Sequence, residues 1–167
     1  DDQGRYSLGL AQEYLPAAIE RARVVIAEVH PDVPWTHGGL HLQASDFALL
    51  IDAEHPPLDQ SRSAPGPVEQ AIARHVAGWV EDGATLQLGI GNLPEAVLAA
   101  LHGHRDLGLH SGAVGDGIAA LAEAGVLTNA RKSLDTGVGI GGILMGGERL
   151  RRWAHRNPQF ALRGTDY

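Results

Sequence analysis

A strand, a glycine loop and the start of a helix follow one another between Thr85 and Leu101, and this order constrains the fold more than any other feature of the chain. The apolar run from Thr85 to Leu88 ends at Gly89, and apolar residues return with helical spacing from Leu93. The first turn of such a helix presents unpaired backbone N–H groups and the positive end of the helix dipole. The segment can therefore bind a phosphate, a carboxylate or a thioester oxygen.

The candidate binding residues of this turn are Gly89, Ile90, Gly91, Asn92 and Pro94. The two glycines allow a ligand to approach the backbone closely. Pro94 is compatible with a first helical turn, where its missing N–H costs nothing. It also stands where the dinucleotide fingerprint requires a third glycine, so that fingerprint is not met. A turn that only packs the helix on the sheet, with Asn92 as the helix N-cap, is the alternative interpretation.

Strand and helix patterns alternate along the whole chain, which predicts an α/β fold with mainly parallel sheets flanked by helices. Strands are predicted at 6–10, 24–29, 47–51, 85–88 and 140–145, and helices at 11–22, 67–83, 93–101, 118–124 and 149–155. The runs 24–29 and 47–51 are almost unbroken in apolar residues, which predicts strands covered on both faces. The helix that begins at Pro67 carries its predicted buried face on Val68, Ile72, Val76, Trp79 and Val80.

Residues 55–67 are rich in proline, serine and charged residues, a composition typical of an exposed linker. This is the clearest change of composition in the chain. We therefore place a domain boundary here, with one domain ending at residue 63 and the next beginning at residue 64.

Composition excludes several classes of function. The formal net charge of −7 argues against a nucleic-acid partner, which requires a basic surface. The absence of cysteine excludes a disulfide framework, a thiolate zinc site and a cysteine nucleophile within this sequence. We expect no bound metal, because His102 and His104 fit a solvated turn. No apolar run reaches the ~20 residues that span a bilayer, so we expect no membrane partner and a cytoplasmic location.

Short sequence blocks along the whole chain carry a family resemblance. They are Gly-Arg-Tyr-Ser-Leu-Gly at 4–9, Val-His-Pro-Asp-Val-Pro-Trp-Thr at 29–36, Leu-Gln-Leu-Gly-Ile-Gly at 86–91, Leu-Gly-Leu-His at 107–110, Gly-Asp-Gly at 115–117, Ala-Gly-Val-Leu-Thr-Asn-Ala-Arg-Lys at 124–132, Leu-Met-Gly at 144–146 and Asn-Pro at 157–158. In this order they resemble the acetyl-CoA hydrolase/CoA-transferase family, which includes the 4-hydroxybutyrate and acetate CoA-transferases.

The resemblance implies an enzyme with two related α/β domains and an active site between them. Members of the family are more than twice as long, so the chain is expected to be an internal fragment. Residues 1–63 would end the N-terminal CoA-transferase-like domain, and residues 64–167 would begin the C-terminal one. The implied partners are an acyl-CoA and a small carboxylic acid, and a homo-oligomer is possible. The coenzyme A thioester would be a substrate, with no permanently bound cofactor.

The block at 110–117 departs from the family pattern. In the family it reads like His-Thr-Glu followed by Met-Ile-Ser-Asp-Gly, and that glutamate is the nucleophile that forms an acyl-glutamyl anhydride and then a glutamyl-CoA thioester. Here Gly112 stands at the glutamate position, and no glutamate lies between Glu95 and Glu123. The covalent route requires a carboxylate. Because position 112 carries no carboxylate, the sequence does not predict that this position performs the covalent route.

Several alternatives stay open for the chemistry. His110 is the candidate catalytic residue, activating water for hydrolysis while backbone amides of the glycine loop polarise the thioester carbonyl. Ser111 is a weaker candidate for a nucleophile, since neighbouring residues of a strand point to opposite faces. A third alternative is a nucleophile supplied from outside residues 1–167. A fourth is that the protein is a catalytically silent relative that only binds acyl-CoA.

Overall fold

The computed structural model describes residues 1–59 and 64–167. The strands in these ranges are β1 (Arg5–Ser7), β2 (Ile26–Val29), β3 (His41–Gln43), β4 (Leu49–Asp52), β5 (Thr85–Leu86), β6 (Gly108–Val114), β7 (Gly139–Leu144) and β8 (Phe160–Leu162). The helices are α1 (Leu15–Arg21), α2 (Pro67–Ala77), α3 (Asn92–Ala100), α4 (Asp116–Glu123) and α5 (Glu148–Ala154), with a short 3-10 helix at Ala44–Asp46.

A parallel sheet with the strand order β5-β6-β7-β8 organises the larger part of the chain. The main buried hydrophobic cluster lies entirely between Ala73 and Leu162 and takes residues from α2, α3, α4 and α5 as well as from the sheet. This arrangement confirms the predicted α/β class with parallel strands flanked by helices. Because the strands are parallel, the segments that follow β5, β6 and β7 all leave the same edge of the sheet.

Two small sheets lie in the first 59 residues. Strands β1 and β3 pair antiparallel, whereas β2 and β4 pair in parallel. The prediction that the strands at 24–29 and 47–51 are covered on both faces is wrong, since Ile26 is 59% exposed and Leu49 is 50% exposed. Within the described residues, no second layer packs on this face, so apolar composition alone did not indicate burial.

Helix α1 begins later than the sequence predicted. Residues Ala11 and Glu13 form isolated bridges with Ile143 and Gly164, so this segment is extended rather than helical. Pro16 occupies the first turn of α1, which starts at Leu15. A pairing with distant strands thus overrides the local helical pattern.

Helix α2 also differs from its prediction in the face that it buries. It ends at Ala77, and its buried residues are Ala73 and Ala77. Val68 is 69% exposed and Trp79, beyond the helix end, is 88% exposed. The small alanines allow α3 to pack closely against α2, and the larger apolar side chains face outward.

The predicted domain boundary after residue 63 adjoins residues 60–63, which lie outside the described residues, and it remains a prediction. The two described parts contact each other directly. His37 lies opposite Ala161 of β8, and the Asp59 carboxylate pairs with the Arg151 guanidinium. No helix in the described ranges has the length and apolar character needed to cross a membrane.

Candidate active site

The glycine loop occupies the edge of the sheet where the strands end. Gly91 has φ 118° and ψ −178° and is the N-cap of α3. Only glycine adopts this conformation readily. Asn92 is the first helical residue, so its interpretation as the N-cap is wrong. Pro94 lies in the first turn, as predicted.

The backbone of this loop is open on its outer side. A Cβ atom built at Gly89 meets no atom nearer than Pro94 Cγ at 4.0 Å, and one built at Gly91 meets none within 4 Å. Ile90 is 48% exposed. A ligand can therefore approach the loop backbone, and the five predicted binding residues form one continuous surface. Their binding of coenzyme A remains a prediction.

Ser111 joins this loop to β6. Its hydroxyl accepts a hydrogen bond from the Leu88 backbone N–H at 3.1 Å and donates to the Ala113 carbonyl oxygen at 2.7 Å. The residue is only 4% exposed. The His110 ring stacks instead against the Tyr167 ring, with 5.9 Å between the ring centroids. The contacts of Ser111 indicate a structural role, and they do not place it beside an imidazole base.

Gly112 lines an open space. It is exposed, its φ is outside the left-handed region, and a Cβ atom built on it meets no atom within 4 Å. A larger side chain would fit here without strain. The absence of a carboxylate at this position is therefore a feature of the sequence and not a steric requirement of the fold.

Glu13 is a residue of this site that sequence reasoning did not identify. Its backbone carbonyl accepts a hydrogen bond from the Thr165 N–H at 3.1 Å, and the neighbouring Gln12 N–H donates to the Gly142 carbonyl oxygen at 3.0 Å. A Cβ atom built at Gly142 would lie 2.8 Å from the Gly112 carbonyl oxygen and 3.4 Å from Glu13 Cγ. Glu13 Cγ and the Gly112 carbonyl oxygen therefore both lie beside Gly142, although the two residues are far apart in the sequence.

The Gly-Asp-Gly block at 115–117 holds neighbouring loops together. Both carboxylate oxygens of Asp116 lie within 3.1 Å of the Gly147 backbone nitrogen. The Gly117 N–H donates to the Glu95 carboxylate at 2.8 Å. A Cβ atom at Gly117 would lie 2.7 Å from Leu98, so glycine is needed for the close packing of α4 on α3.

The block at 124–132 fixes the start of β6. Lys132 is 5% exposed, and its ammonium group donates to the carbonyl oxygens of Leu109 at 2.8 Å and Val138 at 2.6 Å. Burial lowers the pKa of Lys132, and the nearby Asp135 carboxylate opposes that shift. The Asn129 side-chain oxygen accepts the Leu109 N–H at 2.9 Å. The block therefore serves the fold.

The two histidines near the end of α3 have separate surroundings. His102 is exposed, whereas His104 is half-buried with its Nε2 2.9 Å from the Val80 carbonyl oxygen. His102 therefore lies in the solvated turn that the sequence predicted, whereas His104 is only partly solvated. Among residues 1–59 and 64–167, no three His, Asp or Glu side chains are grouped as they would be around a metal ion.

Comparison with known proteins finds relatives among the CoA-transferases. The chain is 40% identical over its whole length to the 4-hydroxybutyrate coenzyme A transferase of Clostridium kluyveri. It is 34% identical over its whole length to the succinyl-CoA:cyclohexane-1-carboxylate CoA transferase of Geobacter metallireducens. The chain is a homologue of the CoA-transferases. It spans 39% and 38% of the lengths of these two relatives, and no family model matches it.

Solved structures agree with this CoA-transferase homology. The 4-hydroxybutyrate CoA-transferase of Porphyromonas gingivalis superposes with a TM-score of 0.89 at 33% identity, covering the whole of this chain and 43% of that one. RipA from Yersinia pestis superposes with a TM-score of 0.95 at 30% identity, covering the whole of this chain and 39% of that one. The whole of this chain therefore shares the fold of the matching part of each of these two structures.

Proposed function

We propose that this protein processes acyl-CoA, transferring coenzyme A between an acyl-CoA and a small carboxylic acid. The observation that carries this proposal is the open glycine loop at the carboxyl edge of a parallel sheet, in a chain homologous to CoA-transferases from end to end. The coenzyme A thioester would be a substrate, with no permanently bound cofactor. A cytoplasmic location, a homo-oligomer and the division into domains at residue 63 belong to the same proposal.

In this proposal the loop residues Gly89, Ile90, Gly91 and Asn92, with Pro94, bind the thioester. The positive end of the α3 helix dipole, which faces this loop, polarises the thioester carbonyl. His110 is the weaker candidate for a role in chemistry. Its ring is half-buried and held against Tyr167, so it can border the substrate without bonding to Ser111.

Because position 112 carries no carboxylate, two further functions are candidates: an acyl-CoA hydrolase and a catalytically silent acyl-CoA-binding protein. One experiment separates all three. The protein produced from its complete coding sequence is incubated with acetyl-CoA and butyrate, and CoA esters and free thiol are measured together. A transferase forms butyryl-CoA without an equal release of free thiol. A hydrolase releases thiol and forms no new ester. Binding without either product, measured by calorimetry, indicates the silent relative.

A further inference from the structure

Glu13 combines a left-handed backbone, a carboxylate that has no partner among the described residues and a position close to the Gly112 carbonyl. We infer that Glu13 is the carboxylate nucleophile of the acyl-CoA reaction, an inference that rests on the proposed function. The three observations are independent of one another, and each concerns the described residues.

The backbone of Glu13 is unusual for its residue type. Its φ is 37°, in the left-handed region that glutamate rarely occupies. Among the described non-glycine residues with positive φ, Asp106, Asn129 and Asp135 are of types that adopt this conformation more readily. The remaining one, Arg156, follows the C-cap of α5, where a left-handed residue often ends a helix. Glu13 is the second residue of the turn that the Leu15 N–H closes on the Gln12 carbonyl oxygen, a position where a positive φ favours Gly, Asn or Asp over glutamate. Strain of this kind is concentrated at functional sites.

The carboxylate of Glu13 is available for reaction. The residue is half-buried, and within residues 1–59 and 64–167 its side chain makes no hydrogen bond or ion pair. An ionised carboxylate only accepts hydrogen bonds, so no donor of residues 1–59 or 64–167 engages its oxygen lone pairs. Asp116, which is also half-buried, differs in accepting a hydrogen bond from the Gly147 N–H.

The position of Glu13 complements that of the glycine loop. In the sheet, β6 lies between β5 and β7. The glycine loop follows β5, and Ser111 ties it to β6 through Leu88. Glu13 approaches from the other side, against Gly142 of β7. Gly112 of β6 therefore lies between the glycine loop, on the β5 side, and Glu13, on the β7 side.

The reaction that this arrangement supports is balanced in atoms and charge. A Glu13 oxygen attacks the thioester carbonyl carbon, the C–S bond breaks, and coenzyme A leaves as its thiolate. The thiolate then attacks the glutamyl carbonyl of the resulting anhydride, which releases the first acid as a carboxylate and leaves a glutamyl-CoA thioester. The acceptor carboxylate attacks this thioester and expels the thiolate. The thiolate finally attacks the acceptor acyl carbon, and the Glu13 carboxylate is released.

The test uses the protein produced from its complete coding sequence, with acetyl-CoA and butyrate as substrates. Borohydride reduces a glutamyl thioester to an alcohol, so mass spectrometry of peptides from the treated protein identifies the residue that carried coenzyme A. We expect the modification on Glu13. Glu13→Gln is expected to abolish the adduct and to lower kcat at least 100-fold with KM for acetyl-CoA little changed. Glu20→Gln, on the exposed side of α1, serves as the matched control.

The outcomes separate this inference from the proposed function. Full turnover by Glu13→Gln, or an adduct mapped to another residue, overturns the role of Glu13 and leaves the proposed function intact. If Glu13→Gln loses turnover but the unmodified protein forms no adduct, the covalent route is overturned. Glu13 would then act as a general base instead of a nucleophile. If the unmodified protein shows neither turnover nor an adduct, both the role of Glu13 and the proposed function are overturned. Peptide mapping of the unmodified protein does not depend on whether any variant folds.

Discussion

The Ser111 hydroxyl bonds to the backbone of Leu88, the residue immediately before the glycine loop. Replacing Ser111 with alanine removes the acceptor for the Leu88 N–H and the donor to the Ala113 carbonyl. We expect Ser111→Ala to lower the free energy of unfolding by about 1–3 kcal/mol, measured by urea denaturation. Ser133→Ala, at an exposed position, is the control and should be neutral. A neutral Ser111→Ala would contradict this structural role.

The two glycines of the loop should respond differently to a larger side chain. Gly89 has open space and an ordinary φ, so Gly89→Val is expected to keep the stability of the protein while weakening acyl-CoA binding at least tenfold, by about 1.4 kcal/mol or more. Gly91→Val places a branched residue at φ 118° and should cost about 1–3 kcal/mol of stability. Calorimetry with acetyl-CoA measures the first effect, and thermal unfolding measures the second.

The control for this pair is Gly103→Val, because Gly103 also has open space and an ordinary φ but lies in the turn after α3. Its acyl-CoA affinity should match that of the unmodified protein. If Gly89→Val binds acetyl-CoA as tightly as Gly103→Val does, the loop is not the binding surface.

A carboxylate placed at position 112 should partly replace the one at Glu13. The space at Gly112 accepts a side chain, and the two positions converge beside Gly142. We therefore expect Gly112→Glu, introduced into Glu13→Gln, to raise the yield of the borohydride-trapped adduct at least tenfold over Glu13→Gln alone. Gly112→Gln in the same background controls for volume. Equal yields in the two double variants would show that a carboxylate at 112 cannot reach the thioester.

The first 59 residues should open more readily than the four-stranded sheet. Strands β2 and β4 expose much of their apolar surface, whereas β6 and β7 border the main buried cluster. Backbone amides of β2 are expected to exchange with solvent through openings at least about 2 kcal/mol easier than those of β6. Native-state hydrogen exchange measures this difference, and equal protection of β2 and β6 would contradict it.

Local patterns in the sequence predicted β5 and β7 of the larger sheet, whereas β6 and β8 are not among the predicted strands. The strand at 140–145 corresponds to β7, and the helix at 149–155 corresponds to α5, each displaced by one residue. These segments combine a clear period with nearby glycine, and they pack in a continuous core. The glycine loop followed from the same kind of local evidence, because a strand, two glycines and a helix start are adjacent in sequence.

Burial and long-range pairing could not be predicted in this way. The apolar run at 24–29 has the composition of a buried strand, yet Ile26 is largely exposed, since composition does not reveal whether a second layer covers a sheet. The segment around Glu13 fits a helical period, but pairing with Ile143 and Gly164 keeps it extended. The approach of Glu13 to Gly112 depends on that pairing, and no local signal in the sequence marks it.

The pairing of residues 35–38 with the end of the sheet also sets an order of events during synthesis. The Trp35 N–H donates to the His155 ring across 120 residues, and the Leu162 N–H donates to the His37 carbonyl oxygen. At translation rates of about 5–20 residues per second, the earlier segment emerges from the ribosome roughly 6–24 s before its partners. These contacts therefore cannot form until the end of the sheet has been synthesised, and a pause in translation before β8 would prolong the time that Trp35 and His37 spend without them.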